Sequence, residues 1–350
     1  MELLTRTLEQ IGPLNEAVME QTQARLNILT KPLGSLGVLE QLAKQVAGIT
    51  GEVVPKVGKK VVIVMAGDHG VVEEGVSAFP QETTVGMVRN FVDGGAGINV
   101  LSRHVGAEVR VVDVGVKTEV DYPGVVQAKV KTGTDNMAKG PAMSRAEAIA
   151  AVEVGINQAK LAIEAGATML ATGEVGIGNT TPSSAVVAVL GGCPVELVTG
   201  RGTGINDQAL HNKQEVIQRA IELNQPNPED PLDVLAKVGG LDIAGMAGVI
   251  LGAAANRLPV VIDGFISSAA ALVAIKLAPH TKAYMIGSHG SMEPGHRLAM
   301  EALGLKPILQ LEMRLGEGTG AALGMGMVDA SLKILGEMAT FADAGIADHN

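Results

Sequence analysis

Unbroken runs of apolar, often β-branched residues recur through the middle of the chain, and segments with helical spacing separate them. The runs predicted to be strands lie at residues 60–66, 108–114, 167–171, 195–198, 259–262, 282–286 and 307–313. The clearest helical patterns lie between them, at 145–165, 183–190 and 207–224. Continuous apolar runs are typical of strands buried on both faces, and alternation with helices implies right-handed crossovers. The pattern therefore predicts an α/β fold with a mainly parallel sheet flanked by helices.

Both ends of the chain have the apolar spacing of helices. Residues 1–50 form stripes of helical period, interrupted at 30–37, where Ser35 is a plausible helix cap. Residues 321–335 continue at helical spacing after the apolar run 307–313 and a glycine-rich loop. We therefore expect helices at both termini and strand, loop and helix in succession from residue 307.

Composition narrows the class of protein. The chain has 350 residues, of which 47% are hydrophobic and 18% charged, and its 45 glycines favour an α/β fold with many tight loops. The net charge of −10 and the scarcity of aromatic residues argue against nucleic acid as a partner. Cys193 is the only cysteine, which excludes an intramolecular disulfide and a thiolate metal cluster.

The sequence also argues against a membrane partner. The N-terminal residues lack the basic and then apolar pattern of a signal peptide. The longest uncharged apolar run, 243–256, is too short to span a bilayer. We expect a soluble, cytoplasmic protein.

Glycine-rich or polar loops follow several of the predicted strands, at 172–182, 199–204, 263–268 and 287–296. Two loops share one form: Gly-Arg-Gly-Thr-Gly at 200–204 and Gly-Glu-Gly-Thr-Gly at 316–320. Bare glycine amides at a helix start bind phosphate well, and Arg201 or Lys213 could add positive charge to the first loop. We therefore assign phosphate binding to the 200–204 loop and proton chemistry to the 316–320 loop.

Three acidic residues have two open interpretations each. Glu317 lies between glycines and could be a general base with a raised pKa, or it could cap the helix that follows. Asp242 and Asp263 lie at the edges of apolar stretches, where each could bind ribose hydroxyls or cap a helix.

Standard motifs are missing from these loops. The glycine spacing at 173–178 and 200–204 fits neither a Rossmann dinucleotide fingerprint nor a Walker loop, and no Gly-x-Ser-x-Gly elbow occurs. For metal, the candidates are Asp68 with His69, and His289 with Glu293 and His296. Their spacing matches no standard zinc motif, so metal binding is the minority interpretation.

Taken together and in order, the loop sequences closely resemble one family. They occupy residues 67–71, 75–80, 94–99, 173–181, 200–204, 262–265, 288–296 and 315–320. The chain resembles the nicotinate-nucleotide:dimethylbenzimidazole phosphoribosyltransferases, which make the lower-ligand nucleotide of cobalamin. The resemblance extends over nearly the whole chain, from residue 30 to the C-terminal helix.

This resemblance implies a reaction and two substrates. Nicotinate mononucleotide supplies phosphoribose, a nitrogen of 5,6-dimethylbenzimidazole or a related azole attacks the anomeric carbon, and nicotinate leaves. The product is the α-riboside 5′-phosphate. The leaving group already has a cationic ring nitrogen, whereas the azole must lose a proton, so the family uses a base. That base corresponds to Glu317 here, and neither a metal nor a cofactor is implied.

The resemblance also implies site residues and an architecture. The phosphate and ribose would lie near Glu174, Gly176, Gly202, Thr203, Lys213 and Ser291. The azole would lie near Ser77, Phe79, Met87 and Leu315. The family has a Rossmann-like large domain, here residues 51–320, and a small helical domain from both chain ends, here 1–50 plus 321–350. It forms homodimers in which the small domain of a second subunit completes the active site.

Two other classes of function stay open at this point. A metal-dependent phosphohydrolase could use Asp68, His69, His289 and His296, and divalent metal retained after purification would favour it. A non-catalytic nucleotide-binding protein would bind nicotinate mononucleotide without turnover and would give Glu317 no special role.

Overall fold

The computed structural model describes residues 2–56 and 58–347, and its centre is a six-stranded sheet in which every strand pair is parallel. The strands are β1 (Lys59–Gly67), β2 (Ala107–Gly115), β3 (Val125–Gln127), β4 (Ala167–Val175), β5 (Val260–Ile262) and β6 (Met285–Gly287). Their order across the sheet is β3-β2-β1-β4-β5-β6. The α/β fold with a parallel, Rossmann-like sheet is therefore confirmed.

Helices cover both faces of this sheet. The α-helices are α1 (Glu2–Gln10), α2 (Glu16–Asn27), α3 (Val38–Thr50), α4 (Thr83–Val92), α5 (Gly97–Val105), α6 (Arg145–Glu164), α7 (Thr180–Gly191), α8 (Val195–Val198), α9 (Asp207–Asn224), α10 (Pro231–Val238), α11 (Leu241–Ala255), α12 (Phe265–Leu277), α13 (Pro294–Leu303) and α14 (Thr319–Glu337). Two short 3₁₀ helices span Gly70–Glu74 and Pro279–Tyr284.

The side chains of β1 show why its apolar run is continuous. Val61, Ile63 and Met65 point into one core, which lies against α6 and α11. Val62 and Val64 point into the other core, with α5 and α14 on that side of the sheet. Since successive residues of a strand face opposite sides of the sheet, a strand between two helical layers must carry apolar side chains on both faces.

The order of the strands determines where a ligand can bind. The chain builds β1, β2 and β3 towards one edge, then returns and builds β4, β5 and β6 on the other side of β1. At such a switch point the loops after β1 and β4 diverge, and a crevice opens at the carboxyl ends of the strands.

One predicted strand, residues 195–198, is wrong. These residues form the short helix α8 after Pro194, with Val195 and Val198 buried and Glu196 and Leu197 exposed. Burial at positions i and i+3 is helical spacing, and a run of four apolar residues is too short to separate a strand from a buried helical turn.

The predicted strand at 307–313 is also wrong, although part of it is extended. Only an isolated bridge between His289 and Leu309 forms there. Glu312 has a positive φ of 54°, which interrupts an extended chain. The predicted strand at 282–286 begins only at Met285, because the 3₁₀ helix Pro279–Tyr284 occupies its first half.

The two ends of the chain meet on one side of the molecule. Helix α3 packs against α14, and the Nε of Arg25 donates a hydrogen bond to the carbonyl of Leu335 at 2.8 Å. Helix α1 instead packs against α6 and α11. The division into a large domain, 51–320, and a small one, 1–50 plus 321–350, stays a prediction.

None of the helices among the described residues is both long enough and apolar enough to cross a membrane.

Candidate active site

A cavity of about 340 Å³ opens at the carboxyl edge of β4, β5 and β6. Its floor is formed by residues at and after the ends of these strands, and three other parts of the chain, at residues 79–87, 202–203 and 314–317, complete its walls. The lining residues that the family resemblance predicted are Phe79, Met87, Glu174, Gly176, Gly202, Thr203, Ser291, Leu315 and Glu317. Asp263, which was a candidate for ribose hydroxyls, and His289 and Glu293, which were metal candidates, line it too. The fold therefore brings together residues that lie more than 200 positions apart in the chain.

The loop that carries Glu317 has an unusual backbone. Glu317 adopts a positive φ of 64° and is flanked by Gly316 and Gly318, with φ of 83° and 99°. A non-glycine residue in the left-handed region is uncommon and often marks a functional site. This conformation turns the chain at the start of α14 and holds the Glu317 side chain against the cavity.

The side chain of Glu317 does not cap its own helix. Its Oε2 accepts a hydrogen bond from the backbone N–H of Ile98, at the start of α5, at 3.0 Å. The amides at the start of α14 are instead capped by Asp263, which accepts hydrogen bonds from Gly318 N at 3.1 Å and Ala321 N at 2.9 Å. Glu317 is therefore not the cap of the helix that follows it, and the general-base interpretation is the one left. Asp263, by contrast, does cap a helix.

Burial dominates the electrostatics of Glu317. It raises the pKa of this carboxyl, and the hydrogen bond from Ile98 opposes the shift while the nearby charge of Asp263 adds to it. A raised pKa makes the ionised form a stronger base than an ordinary glutamate.

Glu174 is a second buried carboxyl in the same cavity. Its Oε1 accepts a hydrogen bond from the backbone N–H of Glu317 at 3.0 Å, and its Oε2 accepts one from the side chain of Asn179. Burial raises the pKa of Glu174 to about 7, and these two hydrogen bonds lower it. Since both oxygens are occupied, Glu174 holds the Glu317 loop in place.

The other end of the cavity is built for an anion. Residues 176–180 line it and lead directly into α7, so the positive end of this helix dipole faces the cavity. By contrast α9 begins at Asp207 and is capped by Asn206, beyond the 200–204 loop. The helix start that serves this site therefore follows the 173–178 glycines, and the 200–204 loop forms the wall beside it, with Gly202 next to Thr180.

Lys213 lies buried behind this wall. Its Nζ donates hydrogen bonds to Thr180 Oγ1 at 2.7 Å and to the carbonyl of Gly200 at 3.2 Å. Burial lowers the pKa of Lys213 to about 8, and the negative charge of Glu293 opposes this shift. Lys213 does not line the cavity itself, but it joins the two segments that do.

The residues predicted for the azole lie near the mouth of the cavity. Phe79, Met87 and Leu315 line it. Ser77 does not, but its Oγ lies 3.2 Å from the Oγ1 of Thr203, which also accepts a hydrogen bond from Ala78 N at 2.9 Å. The 75–80 segment is thereby tied to the 200–204 loop.

Two charged candidates lie outside the cavity lining. Arg201 is half-exposed and pairs with Asp207, so Lys213 is the cation buried behind the loop. Asp242 lies in the first turn of α11, where its Oδ1 accepts a hydrogen bond from Ile243 N at 2.9 Å and lies 3.3 Å from the Nε2 of His69.

The four residues of the alternative metal site have separate partners. The Oδ2 of Asp68 accepts a hydrogen bond from Lys117 N at 2.8 Å, and His69 faces Asp242. His289 and His296 stack on each other, with ring centroids 6.1 Å apart. In residues 2–56 and 58–347, no group of three or more His, Cys, Asp or Glu side chains is arranged to hold a metal ion.

The sequence reasoning missed several residues that line the cavity. Asn179 and Thr180 follow the 173–178 glycines, so the helix start behind that loop was a usable signal. Arg314 lies at the edge of the predicted 316–320 loop. Ile98, which holds Glu317, contributes only its backbone amide, and no residue type could have revealed that.

Comparisons with known proteins identify the family of the chain. A family model described as phosphoribosyltransferase matches residues 11–346. Nicotinate-nucleotide–dimethylbenzimidazole phosphoribosyltransferases of Geobacter sp. (strain M21) and Chloroflexus aggregans are 59% identical over 347 residues and 58% identical over 349 residues, each alignment covering 99% of both chains. The crystal structure of the enzyme of that name from Thermus thermophilus superposes with a TM-score of 0.91 at 45% identity, covering 96% of this chain and 100% of the other. The chain therefore belongs to the family of nicotinate-nucleotide–dimethylbenzimidazole phosphoribosyltransferases.

Proposed function

We propose that this protein transfers the phosphoribosyl group of nicotinate mononucleotide to 5,6-dimethylbenzimidazole or a related azole. The products are the α-riboside 5′-phosphate and nicotinate, and the riboside serves the lower ligand of cobalamin. The relatives of the chain have this activity in their names, at up to 59% identity over the whole length.

Glu317 acts as the general base in this proposal. The bond between the anomeric carbon and the pyridinium nitrogen breaks as an azole nitrogen forms its bond, and the bonding electrons neutralise the leaving nicotinate ring. The attacking azole becomes cationic and must lose the proton on its other nitrogen. A carboxylate with a raised pKa in the cavity can take that proton.

The position of the Glu317 carboxylate is the observation that carries this role. Its Oε2 is held by Ile98 N, whereas no described residue donates a hydrogen bond to its Oε1. One oxygen fixes the side chain, and the other is available to the azole proton. Glu174 has no such free oxygen, since Glu317 N and Asn179 occupy both.

Binding of the nucleotide phosphate is assigned to the anion end of the cavity. This end is lined by the start of α7, the glycine backbone around Gly202, and the residues Thr203 and Ser291. The charge of Lys213 lies directly behind it. Helix starts and bare glycine amides stabilise phosphate, and fixing both reactants supplies much of the rate enhancement. Phe79, Met87 and Leu315 offer the apolar contact that a flat benzimidazole requires.

A homodimer with shared active sites is part of the proposal. Phe79 and Leu315 are large apolar side chains at the cavity mouth, yet each is more than half exposed in the single chain. Neighbouring Met292 is exposed as well. A second subunit that covers the mouth would bury them and exclude water from the reaction.

Nicotinate release from nicotinate mononucleotide tests the function. The assay is run in EDTA with and without 5,6-dimethylbenzimidazole, for the wild type, Glu317→Gln and Glu312→Gln. Glu312 is an exposed carboxylate on the same loop outside the cavity lining, so its variant is the matched control. We expect azole-dependent release in the wild type and the control, and a loss of kcat of about 10²- to 10⁴-fold in Glu317→Gln.

Each of the other possible results of this assay would contradict a different part of the proposal. If Glu317→Gln were as active as the wild type, Glu317 would not be the general base, although the transferase reaction would still be supported. Tight binding of nicotinate mononucleotide without release, with every azole, would favour a non-catalytic binding protein. Phosphate release that EDTA abolishes would favour the phosphohydrolase, which nothing in the comparisons supports.

A further inference from the structure

Glu293 is a buried carboxylate in the cavity to which the proposed reaction gives no role, and the sequence offered it only as a candidate metal ligand. It lies in the 287–296 loop after β6, directly before α13, and it lines the cavity beside Ser291. The residue is only 9% exposed. The question is what this carboxylate binds.

None of the described residues donates a hydrogen bond to the Glu293 carboxylate. The residue occupies the N-cap position of α13, yet its side chain makes no capping hydrogen bond. Its Oε2 is sealed from solvent without a partner, and no cation of the described residues lies within 4.0 Å of either oxygen. A buried carboxylate without donors is costly. Neither a helix cap nor a direct ion pair therefore explains Glu293, although its charge acts on buried Lys213 on the other side of Gly200.

Gly200 shows that the structure makes room for this side chain. A Cβ atom at Gly200 would clash with the Oε2 of Glu293. The carbonyl of the same glycine accepts a hydrogen bond from Lys213, at the end of the cavity assigned to phosphate. The carboxylate is thus held next to the phosphate end of the cavity, where the ribose attached to that phosphate has to lie.

The chemistry of the nucleotide substrate limits what Glu293 can bind. The phosphate and the nicotinate carboxylate are anionic acceptors, and the alkylated pyridinium nitrogen carries no hydrogen. The azole proton belongs to Glu317 in the proposed reaction. The ribose 2′- and 3′-hydroxyls are the remaining hydrogen-bond donors, and an acidic residue is a common partner of ribose hydroxyls in nucleotide-binding α/β proteins.

We infer that Glu293 determines specificity for the sugar: its carboxylate accepts a hydrogen bond from a ribose hydroxyl of the nucleotide. This inference rests on the proposed function for the identity of the substrate. It assigns to Glu293 the selection of a ribonucleotide over its deoxy analogues, while Glu317 performs the proton transfer.

The test compares nicotinate mononucleotide with its 2′-deoxy and 3′-deoxy analogues in the wild type, Glu293→Gln, Gly200→Ala and Glu301→Gln. Glu301 is an exposed carboxylate on α13 that pairs with Arg297, so its variant is the matched control. We expect the wild type and the control to prefer the ribonucleotide to one analogue by about 10- to 100-fold in kcat/KM, the size of one hydrogen bond to a charged group. Glu293→Gln and Gly200→Ala should lose most of this preference.

The preference ratio distinguishes recognition from a structural role. A variant that is merely misfolded loses activity on all three nucleotides alike and keeps the ratio. The inference is overturned if an active Glu293→Gln keeps the wild-type preference for the ribonucleotide. It is also overturned if the wild type accepts all three nucleotides equally, a result that needs no variant.

Calorimetric titration of the same nucleotides separates this inference from the proposed function. Binding does not require turnover, so a wild type that binds the ribonucleotide more tightly without transferring it would disprove the reaction, and loss of this difference in Glu293→Gln would uphold the role of Glu293. Equal dissociation constants, in a wild type that catalyses the transfer, would disprove only the role of Glu293.

Discussion

Glu317 and Glu174 show how one fold gives two similar carboxyls different tasks. Both are buried and both have a raised pKa because of burial. Glu174 receives two hydrogen bonds and so supports the loop, whereas Glu317 receives one and keeps an oxygen available. The difference lies in the number of donors, and the environment assigns the roles.

The candidate base could be predicted from local sequence, whereas its support could not. A glutamate between two glycines before a helical pattern marks Glu317 as a loop carboxylate that is either a base or a helix cap. The Glu317 carboxylate is held by Ile98 N, which lies 219 residues away in the chain. The helix is capped instead by Asp263, which lies 55 residues from Gly318. No periodicity encodes such pairs.

Deprotonation of Lys213 should set an alkaline limit to the catalytic efficiency, kcat/KM. Because burial lowers the pKa of Lys213 to about 8, its ammonium is charged below that pH and neutral above it. We expect kcat/KM for nicotinate mononucleotide to fall as the pH rises through about 8, with the phosphate less tightly bound. The measurement is a pH profile of kcat/KM, which reports the free enzyme.

The variant Lys213→Met is the control for this limit. It should raise KM for nicotinate mononucleotide by roughly 10- to 100-fold at neutral pH, since the positive charge behind the phosphate and its charged hydrogen bonds to Thr180 and Gly200 are lost. Its profile should also be flat near pH 8. If the variant kept the same alkaline limit, another group would titrate there and Lys213 would not be the phosphate cation.

At the scale of elements, the sheet was predictable because β1, β2 and β4 are nine residues long, each contains a run of apolar residues, and β1 is apolar on both faces. The short elements were not. Val195–Val198 is helical, and β3 has only three residues, so neither extends over enough of the chain to show its period. Residues 307–313 are apolar but contain the left-handed Glu312, which no hydrophobic pattern reveals.

Helices α6 and α11 pack with their backbones in contact, and glycines permit it. A Cβ at Gly248 would fall on the carbonyl oxygen of Val152 and would lie 3.0 Å from the Cα of Gly155. We expect Gly248→Ala to lower the free energy of unfolding by about 3 kcal/mol, because two packed helices would have to separate. Denaturant unfolding measures this change.

Gly86 gives the matched comparison for that measurement. It lies within α4, and a Cβ there would meet nothing within 4 Å. Gly86→Ala should therefore raise the free energy of unfolding by about 0.5–1 kcal/mol through helix propensity alone. Equal effects of the two substitutions would show that the contact between α6 and α11 is looser than the structure has it.

At the scale of the whole molecule, the site depends on the reversal of strand order. Since the sheet grows in both directions from β1, the loops after β4, β5 and β6 meet in one crevice. The starts of α5, α7 and α14 all point towards it. Helix starts carry partial positive charge, and this suits a cavity that binds an anionic nucleotide and holds several carboxylates.

The proposed homodimer can be tested at the cavity mouth. Met292 is 57% exposed next to the cavity-lining residues Ser291 and Glu293. If a second subunit covers this mouth, Met292→Asp places a charge in an apolar interface and should shift the sedimenting species from twice the chain mass of 35.9 kDa towards that mass. The activity should fall with it, since the mouth loses its cover.

Leu161→Asp is the control: Leu161 is similarly exposed, at 50%, but lies near the end of α6, at the opposite edge of the sheet. A wild type that sediments as a single chain while fully active would disprove the shared site. A dimer unaffected by Met292→Asp would place the interface on another surface, and the apolar residues at the mouth would then serve the azole alone.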